Sequence, residues 1–250
     1  MSARQRLMYA AARGLGRRGF EVRRHPATRR QMLLERIGVD LVLDVGAADG
    51  GYGRQLREFG YTGDVVSFEP QASAFAALTA GSADDARWTA RHKGLGSEAG
   101  EAVINIASNS TSSSLLPMLD AHVDAAPEVT YVGQETITIA RLDDETPDLL
   151  ASHSAPFLKI DTQGFEREVL AGGSATVESC VGLQLELSFV PLYEGGVLVH
   201  EAVSWAYDHG FHLVVVEQGY ASPTGEILQI DGIFAREHLT LEALGVDLEE

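Results

Sequence analysis

The sequence of 250 residues predicts an α/β protein with a seven-stranded, mostly parallel sheet whose last strand is antiparallel. Short apolar strands alternate with helical segments that end at glycines, which predicts a doubly wound sheet with right-handed crossovers. The last two predicted strands, 211–217 and 227–234, are joined through a turn at 222–225. That connection is too short to hold a crossover helix, so these two strands must be antiparallel.

The first part of the chain carries the alternation most clearly. Glycines directly after the helical segments act as stop signals, and Pro70 ends the second strand. In chain order, the predicted elements are a helix at 31–37, a strand at 40–45, a helix at 52–59, a strand at 64–69, a helix at 72–80 and a strand at 87–92.

The regular alternation of strands and helices is interrupted between Gly96 and Pro147. Two alternating segments, 101–107 and 136–142, predict an inserted pair of strands that flanks a serine-rich loop at 109–114. Such a loop is either a plain connection or a segment that closes over a cofactor or substrate. The remaining predicted elements are parallel strands at 156–161 and 181–187, a helix at 200–209 and the two antiparallel strands.

Length and composition predict one catalytic domain in the cytoplasm. A hydrophobic content of 45% is enough for one sizeable core. Cys180 is the only cysteine, so no intrachain disulfide can form, and we expect its side chain to be buried. No apolar run is long enough to cross a membrane, and the N-terminus lacks the hydrophobic segment of a secretion signal. We therefore expect no integral membrane segment.

Charge is distributed unevenly along a chain whose formal net charge is -17. Arginines crowd the first thirty residues, where Glu21 is the single acid, and we expect a basic helical N-terminal arm at 1–38 ahead of a catalytic domain at 39–250. The acidic domain should repel nucleic acid. The arm could lie on an anionic membrane, on a partner or, as we favour, on the protein's own acidic surface. A homo-oligomer is compatible with the sequence.

The most informative segment is an apolar strand that carries Asp44 near its end and runs into a glycine-rich turn. The turn has the spacing Gly46-x-x-x-Gly50 and lacks the G-x-G-x-x-G of dinucleotide sites. Asp44 disfavours a phosphate and favours a ligand with an ammonium and a sulfonium, which describes S-adenosylmethionine. Glu69, at the end of the next strand, is expected to accept hydrogen bonds from ribose hydroxyls. The alternative is that Asp44 caps a turn and Glu69 is an exposed charge.

A second motif runs from Lys159 to Glu166. Lys159 and Asp161 share one face of the predicted strand, and Asp161 ends the strand at the ligand-binding edge. A buried Lys159 must be paired, with Asp161 or Glu186 as the natural partner, and a purely structural ion pair is the alternative. Gly164 supplies a turn after which Glu166 either approaches the cleft or caps the following helix, and capping is favoured.

Taken together, these motifs resemble the FkbM-type methyltransferases. The resemblance covers about 41–234 and is carried by Asp44-Val45-Gly46-Ala47, Ser67-Phe68-Glu69-Pro70, Ser112-Ser113-Ser114-Leu115, Arg141-Leu142-Asp143 and Lys159-Ile160-Asp161-Thr162-Gln163-Gly164-Phe165-Glu166. It implies a Rossmann-like class I methyltransferase domain, S-adenosylmethionine as methyl donor, and a hydroxyl acceptor on a sugar or polyketide-like natural product. The expected cofactor-binding residues are Asp44, Gly46, Ala47, Gly50, Tyr52, Glu69, Pro70, Gly94, Leu95, Ser114 and Asp161.

The chemistry predicted for this site concerns the proton of the acceptor hydroxyl. Asp161 is the first candidate for a general base or orienting acceptor, and Lys159 and Glu186 complete the expected catalytic set. Alternatively, Asp161 and Glu186 ligate a divalent cation that lowers the hydroxyl pKa, as in catechol-type O-methyltransferases. Three histidines near predicted strand or helix ends are held in reserve: His200, His209 and His212.

Several functions compete at this stage. An O-methyltransferase acting on a small-molecule hydroxyl is favoured, and a methyltransferase for a nitrogen or carboxylate acceptor is close to it. A nicotinamide-dependent oxidoreductase would need the missing glycine spacing. A noncatalytic cofactor-binding protein would keep the fold without acids at the cleft.

Overall fold

The structure of the protein is a computed structural model that describes residues 12–20, 25–109, 112–222 and 224–241. Residues 12–20 are exposed. The rest of the predicted arm before His25, at 1–11 and 21–24, lies outside the described residues. No helix in the described ranges combines the length and the apolar character that a membrane crossing requires.

The main sheet has the predicted architecture. Its strands are β1 Leu41–Val45, β2 Asp64–Phe68, β3 Trp88–Arg91, β7 Pro156–Ile160, β8 Gly182–Ser188, β9 Phe211–Gln218 and β10 Gln229–Arg236. They lie in the order β3-β2-β1-β7-β8-β10-β9, and β10 is antiparallel to both of its neighbours. The remaining neighbours pair in parallel.

The predicted inserted strand pair is present and belongs to a second, three-stranded sheet. This sheet contains β4 Gly94–Leu95, β5 Gly100–Ala107 and β6 Tyr131–Ala140, in the order β4-β6-β5. β6 begins five residues before the predicted segment at 136, because its antiparallel pairing with β5 continues to Tyr131 opposite Ala107. It ends at Ala140 because Leu142 already begins a helix.

Helices cover both faces of the main sheet. In chain order they are α1 Pro26–Arg36, α2 Gly51–Glu58, α3 Ala72–Ser82, α4 Asp120–Ala125, α5 Leu142–Glu145, α6 Pro147–Ser152, α7 Glu166–Ala171, α8 Ser174–Ser179, α9 Val199–Asp208 and α10 Glu237–Leu241. The side chains of β1 alternate between two hydrophobic clusters: Leu41, Leu43 and Val45 pack into one, and Val42 packs into the other. Cys180 is buried, as predicted.

Residues 12–16 are helical, and the next helix, α1, starts earlier than the predicted residue 31. Pro26 stands at its first turn, and the His25 ring accepts a hydrogen bond from the Ala27 amide. Leu34 is buried in the same cluster as Val42 of β1. Sequence reasoning assigned Arg30 to the basic arm, whereas Arg30 is buried against the main sheet. The packing thus joins this part of the predicted arm to the core of the domain.

Candidate functional site

A pocket lies at the carboxyl ends of β1, β2 and β7 and extends beneath the three-stranded sheet. The space between its lining residues, including the part that is open to solvent, is about 670 Å³. Parallel α/β sheets bind ligands at this edge. Predicted cofactor residues that line the pocket are Gly46, Glu69, Pro70, Gly94, Leu95, Ser114 and Asp161.

The glycine-rich turn forms one side of the pocket. Gly46 has a φ of +74° and Ala48 a φ of +47°, so the turn passes twice through the left-handed region. A Cβ on Gly46 would lie 1.9 Å from the backbone oxygen of Asp161, so only glycine lets the turn pass the end of β7. The amides of Gly46 and Ala47 both donate to the Phe68 carbonyl, each at 3.1 Å. These contacts tie the ends of β1, β2 and β7 together.

Glu69 lies in the pocket with a carboxylate held by backbone amides. Its Oε2 accepts from the Ala48 amide at 2.8 Å, and its Oε1 accepts from the Gln71 amide at 2.8 Å. The residue is only 3% exposed, and burial raises the pKa of Glu69 to about 7 even though both amides favour the ionised form. Each oxygen keeps a second lone pair with which it can accept a ligand hydroxyl.

Asp44 and Lys159 form a buried ion pair behind the turn. The Lys159 Nζ lies 3.0 Å from Asp44 Oδ1 and 3.7 Å from Asp161 Oδ2, and it donates to the Gly46 carbonyl at 2.9 Å. Burial opposes the charge on Lys159, but the carboxylates of Asp44 and Asp161 outweigh it and raise the lysine pKa. Lys159 therefore stays protonated. Its predicted partner Asp161 is present, Asp44 is a closer one, and the second named candidate, Glu186, makes no ion pair with it among the described contacts.

Several predicted cofactor residues lie behind the pocket wall. Asp44 is fully buried, and its Oδ2 accepts from the Ser67 hydroxyl at 2.9 Å. The Tyr52 hydroxyl donates to Gln184 Oε1 at 2.9 Å. Gly50 has a φ of +87°, in the left-handed region that favours glycine, and a Cβ there would also meet Leu78 at 2.9 Å. Ala47, Asp44, Gly50 and Tyr52 are therefore not among the residues that line the pocket.

Asp161 reaches the pocket, and Glu186 is linked to it through Gln163. The Gln163 Nε2 donates to Asp161 Oδ1 at 2.8 Å and lies 3.3 Å from each carboxylate oxygen of Glu186. Burial, followed by the nearby charges of Asp161 and Glu166, raises the pKa of Glu186 well above its usual range. Glu166 does not reach the pocket: its Oε1 accepts from the Thr162 and Gly164 amides and thereby holds the turn after β7. The predicted capping of the following helix is therefore not what the structure shows: Glu166 stands in the first turn of α7 after the N-cap residue Phe165, and its carboxylate accepts from amides of the preceding turn.

The inserted sheet and the serine loop cover the pocket. Leu95, Ile139 and Phe165 give it an apolar wall. The Ser114 hydroxyl donates to the Gln163 carbonyl at 2.7 Å, which fastens the loop to the turn after β7. Residues 110 and 111 of the loop lie outside the described residues, but Ser113 and Ser114 line the pocket. This part of the serine loop thus lies over the site and is more than a connection.

The reserve histidines are not brought into the pocket. His200 is exposed. His209 stacks on Trp205 with ring centroids 4.1 Å apart, and His212 lies 3.4 Å from Glu237 Oε1. In the described part of the chain, no group of three or more histidine, cysteine, aspartate or glutamate side chains is arranged to hold a metal ion.

Sequence reasoning missed some residues of this site. Gln163 was quoted within the second motif but not selected, because an uncharged amide gives no signal of chemistry. Tyr193 lies in the segment 191–196, which sequence reasoning connected only with acceptor specificity, and it donates to Gln163 Oε1 at 2.8 Å. Ile104, Ile137 and Ile139 line the pocket from the inserted sheet. Their alternating pattern predicted strands, but it did not indicate that these side chains would cover the ligand pocket.

The strand order, with antiparallel β10 between β8 and β9, and the pocket over a glycine turn define a class I methyltransferase fold. Within that class, the chain belongs to the FkbM methyltransferase family: the family's methyltransferase domain matches residues 44–213. No protein of curated function matches the sequence with significance.

Solved structures with a similar fold include methyltransferases of several kinds. A putative RNA methyltransferase from Pyrococcus horikoshii has 10% identity and a TM-score of 0.44, over 84% of this chain and 83% of that one. Magnesium protoporphyrin IX methyltransferase from Synechocystis has 10% identity and a TM-score of 0.43, over 84% and 80%. Fibrillarin from Aeropyrum pernix has 10% identity and a TM-score of 0.45, over 84% and 76%.

Proposed function

We propose that the protein transfers a methyl group from S-adenosylmethionine to a hydroxyl of a small metabolite, such as a sugar or a polyketide-like natural product. The observation that carries the proposal is the pocket with Glu69 on one side and Asp161 on the other. Family membership supports methyl transfer over the oxidoreductase and noncatalytic alternatives. It leaves the acceptor to be identified by experiment.

The side chains in the pocket suit this cofactor. Glu69 offers free lone pairs to the ribose hydroxyls, and the wall formed by Leu95, Ile139 and Phe165 suits an adenine ring. Gly46 allows a ligand to approach the backbone closely. Asp161 supplies a negative charge that favours a sulfonium. When bound, S-adenosylmethionine would supply an electrophilic methyl group on that sulfonium.

Asp161 is our proposed general base. Its side chain is 36% exposed, so an acceptor can reach it, and the Lys159 ammonium 3.7 Å away balances its negative charge. An aliphatic hydroxyl becomes a good nucleophile only as its proton leaves, so a carboxylate beside it accelerates the reaction. Lys159 is protonated and buried between two carboxylates, so in this proposal it positions Asp161 and does not accept the proton itself.

The charge around the site supports a neutral or cationic acceptor. Glu186 and Asp231 are in register on β8 and β10, next to the end of β7 from which Asp161 projects. The Asp161 carboxylate in the pocket, together with a net charge of -17, would repel the phosphates of a nucleic acid. We therefore propose a small-molecule acceptor and keep RNA as the outcome that would contradict it.

The test is a search for the methylated product. Purified protein is incubated with methyl-labelled S-adenosylmethionine and either the small-molecule fraction or the RNA fraction of a cell extract. We expect label in the small-molecule fraction only, in a species whose mass has gained one methylene unit. The Asp161→Asn variant serves as the control for background. Label in the RNA fraction alone would overturn the acceptor class, and a product methylated on nitrogen or carboxylate would overturn the hydroxyl assignment.

A further inference from the structure

Gln163 adopts a backbone conformation that few side chains tolerate. Its φ is +54°, in the left-handed region, and Gly164 follows with a φ of +98°. A residue other than glycine, asparagine or aspartate in this region is uncommon and is retained where surrounding contacts hold it. Here the Ser114 hydroxyl donates to the Gln163 carbonyl at 2.7 Å. The side chain of Gln163 is thereby presented to the carboxyl end of the sheet.

The amide of Gln163 is oriented by Tyr193. The Tyr193 hydroxyl is a donor at 2.8 Å from Gln163 Oε1, so the amide oxygen faces the tyrosine and the amide nitrogen faces the opposite side. On that side, Nε2 donates to Asp161 Oδ1 at 2.8 Å and lies 3.3 Å from both oxygens of Glu186. One neutral donor group therefore bridges two carboxylates.

This bridge counteracts the repulsion of two like charges. The charged and titratable groups facing the pair are Asp44, Lys159, Glu166, Tyr193 and Asp231. Among them Lys159 is the only cation, and it is shared with Asp44. Without the amide of Gln163, the Asp161 and Glu186 carboxylates would lose their common hydrogen-bond donor. Asp161 would then no longer be held in the position that it has in the structure.

We propose that Gln163 is a positioning residue that holds the Asp161 carboxylate toward the cofactor's sulfonium and ties it to Glu186 behind, so that the protein prefers cationic S-adenosylmethionine to neutral S-adenosylhomocysteine. The inference rests on the proposed function, because it takes the pocket to bind this cofactor. A preference of this kind lets the demethylated product leave while the fresh donor binds. The adenosine and amino-acid parts are common to both ligands. The ratio of the two dissociation constants therefore reports how the positive charge on sulfur affects binding.

The experiment measures both dissociation constants by calorimetry on the full chain from pH 6 to pH 9. In the parent we expect a preference for S-adenosylmethionine that grows with pH as Glu186, whose pKa is raised by burial, ionises. Gln163→Met keeps the length of the side chain and removes its donor. It should reduce the preference at neutral pH by about tenfold, the scale of a charge-assisted hydrogen bond. The preference should then recover only at higher pH, since Glu186 ionises less readily without the hydrogen bond from Gln163.

Two further variants make the outcome decisive. Gln134→Met, whose side chain hydrogen-bonds Asn105 on the exposed inserted sheet, is the matched control and should leave both affinities unchanged. If thermal unfolding shows that Gln163→Met does not fold, Tyr193→Phe replaces it: this change frees the amide to rotate and should give a smaller reduction of the preference.

The other possible results contradict either the inference about Gln163 or the proposed function, and they can be told apart. An unchanged ratio and pH profile in a folded Gln163→Met or Tyr193→Phe would overturn the inference, as would an equal loss of both ligands, which would mean that Gln163 only shapes the pocket. Failure of the parent to bind either ligand would instead contradict the proposed function.

Discussion

Lys159 on β7 and Asp44 on β1 form a buried ion pair in which Nζ lies 3.0 Å from Oδ1, and their side chains are 5% and 0% exposed. The two residues are direct partners in the register of these parallel strands. Lys159 also donates to the Gly46 carbonyl. The pair therefore connects the two central strands and fixes the glycine turn that begins where β1 ends.

Replacing Lys159 should unfold or strongly destabilise the protein. Lys159→Met removes the cation and leaves Asp44 as a buried, unpaired charge, which costs about 3 to 5 kcal/mol. Urea unfolding measures the loss. Arg54→Met is the control, because it breaks an ion pair with Asp49 whose side chains are 47% and 56% exposed, and it should cost less than about 1 kcal/mol. Partial recovery in the double variant Asp44→Asn/Lys159→Met is also expected, and equal effects of the two single variants would contradict the prediction.

The sequence was enough to predict the parts of the site that depend on local order. Strand ends of a parallel sheet meet at one edge, so Glu69 and Asp161 were expected together, and the pocket contains both. The contact between Lys159 and Asp161 follows from the two-residue period of a strand. Neither inference needs the register of distant strands.

Features that depend on distant register could not be predicted in this way. Asp44 was expected to place its charge beside the ligand, but the alignment of β1 with β7 sets Lys159 against it. Arg30 was counted with the basic arm, whereas it lies 3.0 Å from Glu217 Oε2 on β9 and stacks over the ring of Tyr52. In both cases the partner of the charge lies far along the chain, so the sequence did not identify it.

Glu69 should contribute directly to cofactor affinity. Glu69→Ala removes the carboxylate that we expect to accept the ribose hydroxyls, and it should weaken S-adenosylmethionine binding by roughly 1.5 to 3 kcal/mol. Calorimetric titration gives the value. Glu69→Gln, which keeps one acceptor oxygen, should lose less. Unchanged affinity in Glu69→Ala would remove this residue from the site.

The same carboxylate predicts how cofactor affinity depends on pH. Burial raises the pKa of Glu69 to about 7 in the free protein, whereas hydroxyl donors favour its ionised form. Binding should therefore release a proton, and affinity should fall as the pH drops below about 7. Calorimetry in buffers of different ionisation enthalpy detects the proton, and Glu69→Gln should remove this part of the pH dependence. A pH-independent affinity in the parent would contradict the assignment.

Leu95 should mark the adenine position. The residue is 3% exposed and lines the pocket where the inserted sheet begins. Leu95→Asp would put a carboxylate against the ring and should weaken S-adenosylmethionine and S-adenosylhomocysteine equally, since they share the adenine. The control is Val103→Asp, at a position that is 50% exposed on β5 of the same small sheet. Equal binding by Leu95→Asp and the parent would move the adenine elsewhere.

His122 should make stability depend on pH. It is 5% exposed and contacts Tyr193 edge-on at a centroid distance of 5.4 Å. Burial lowers its pKa from the usual 6.5, so the unfolded chain binds a proton more readily than the folded protein does. This contribution to stability is complete above about pH 6.5 and is lost as the pH falls through the lowered pKa. Urea unfolding between pH 5 and pH 8 should show a weaker acid dependence in His122→Phe than in the parent, and exposed His200→Phe should behave like the parent.

Asp161 distinguishes a lone general base from a metal-assisted mechanism, once an acceptor is available. Asp161→Asn keeps the shape and removes the charge, so we expect a parent-like fold by circular dichroism and a loss of turnover of about a hundredfold or more. If Asp161 acts without a metal, chelators should leave the parent active. Glu186→Gln should then be the milder change, because Glu186 is placed behind Gln163.

If a divalent cation is bound by Asp161 and Glu186, chelation should abolish turnover, magnesium or manganese should restore it, and the two substitutions should be equally damaging. We expect the first pattern, because Gln163 already uses the facing oxygens of both carboxylates as hydrogen-bond acceptors, and a cation between them would have to displace its amide. The variant Gln163→Met is therefore a second test between the general-base and the metal-assisted mechanism. It should reduce turnover if the amide positions the base, and it should raise metal affinity if the amide competes with a cation. Full activity in Asp161→Asn would contradict both mechanisms and leave in-line positioning of the acceptor as the source of catalysis.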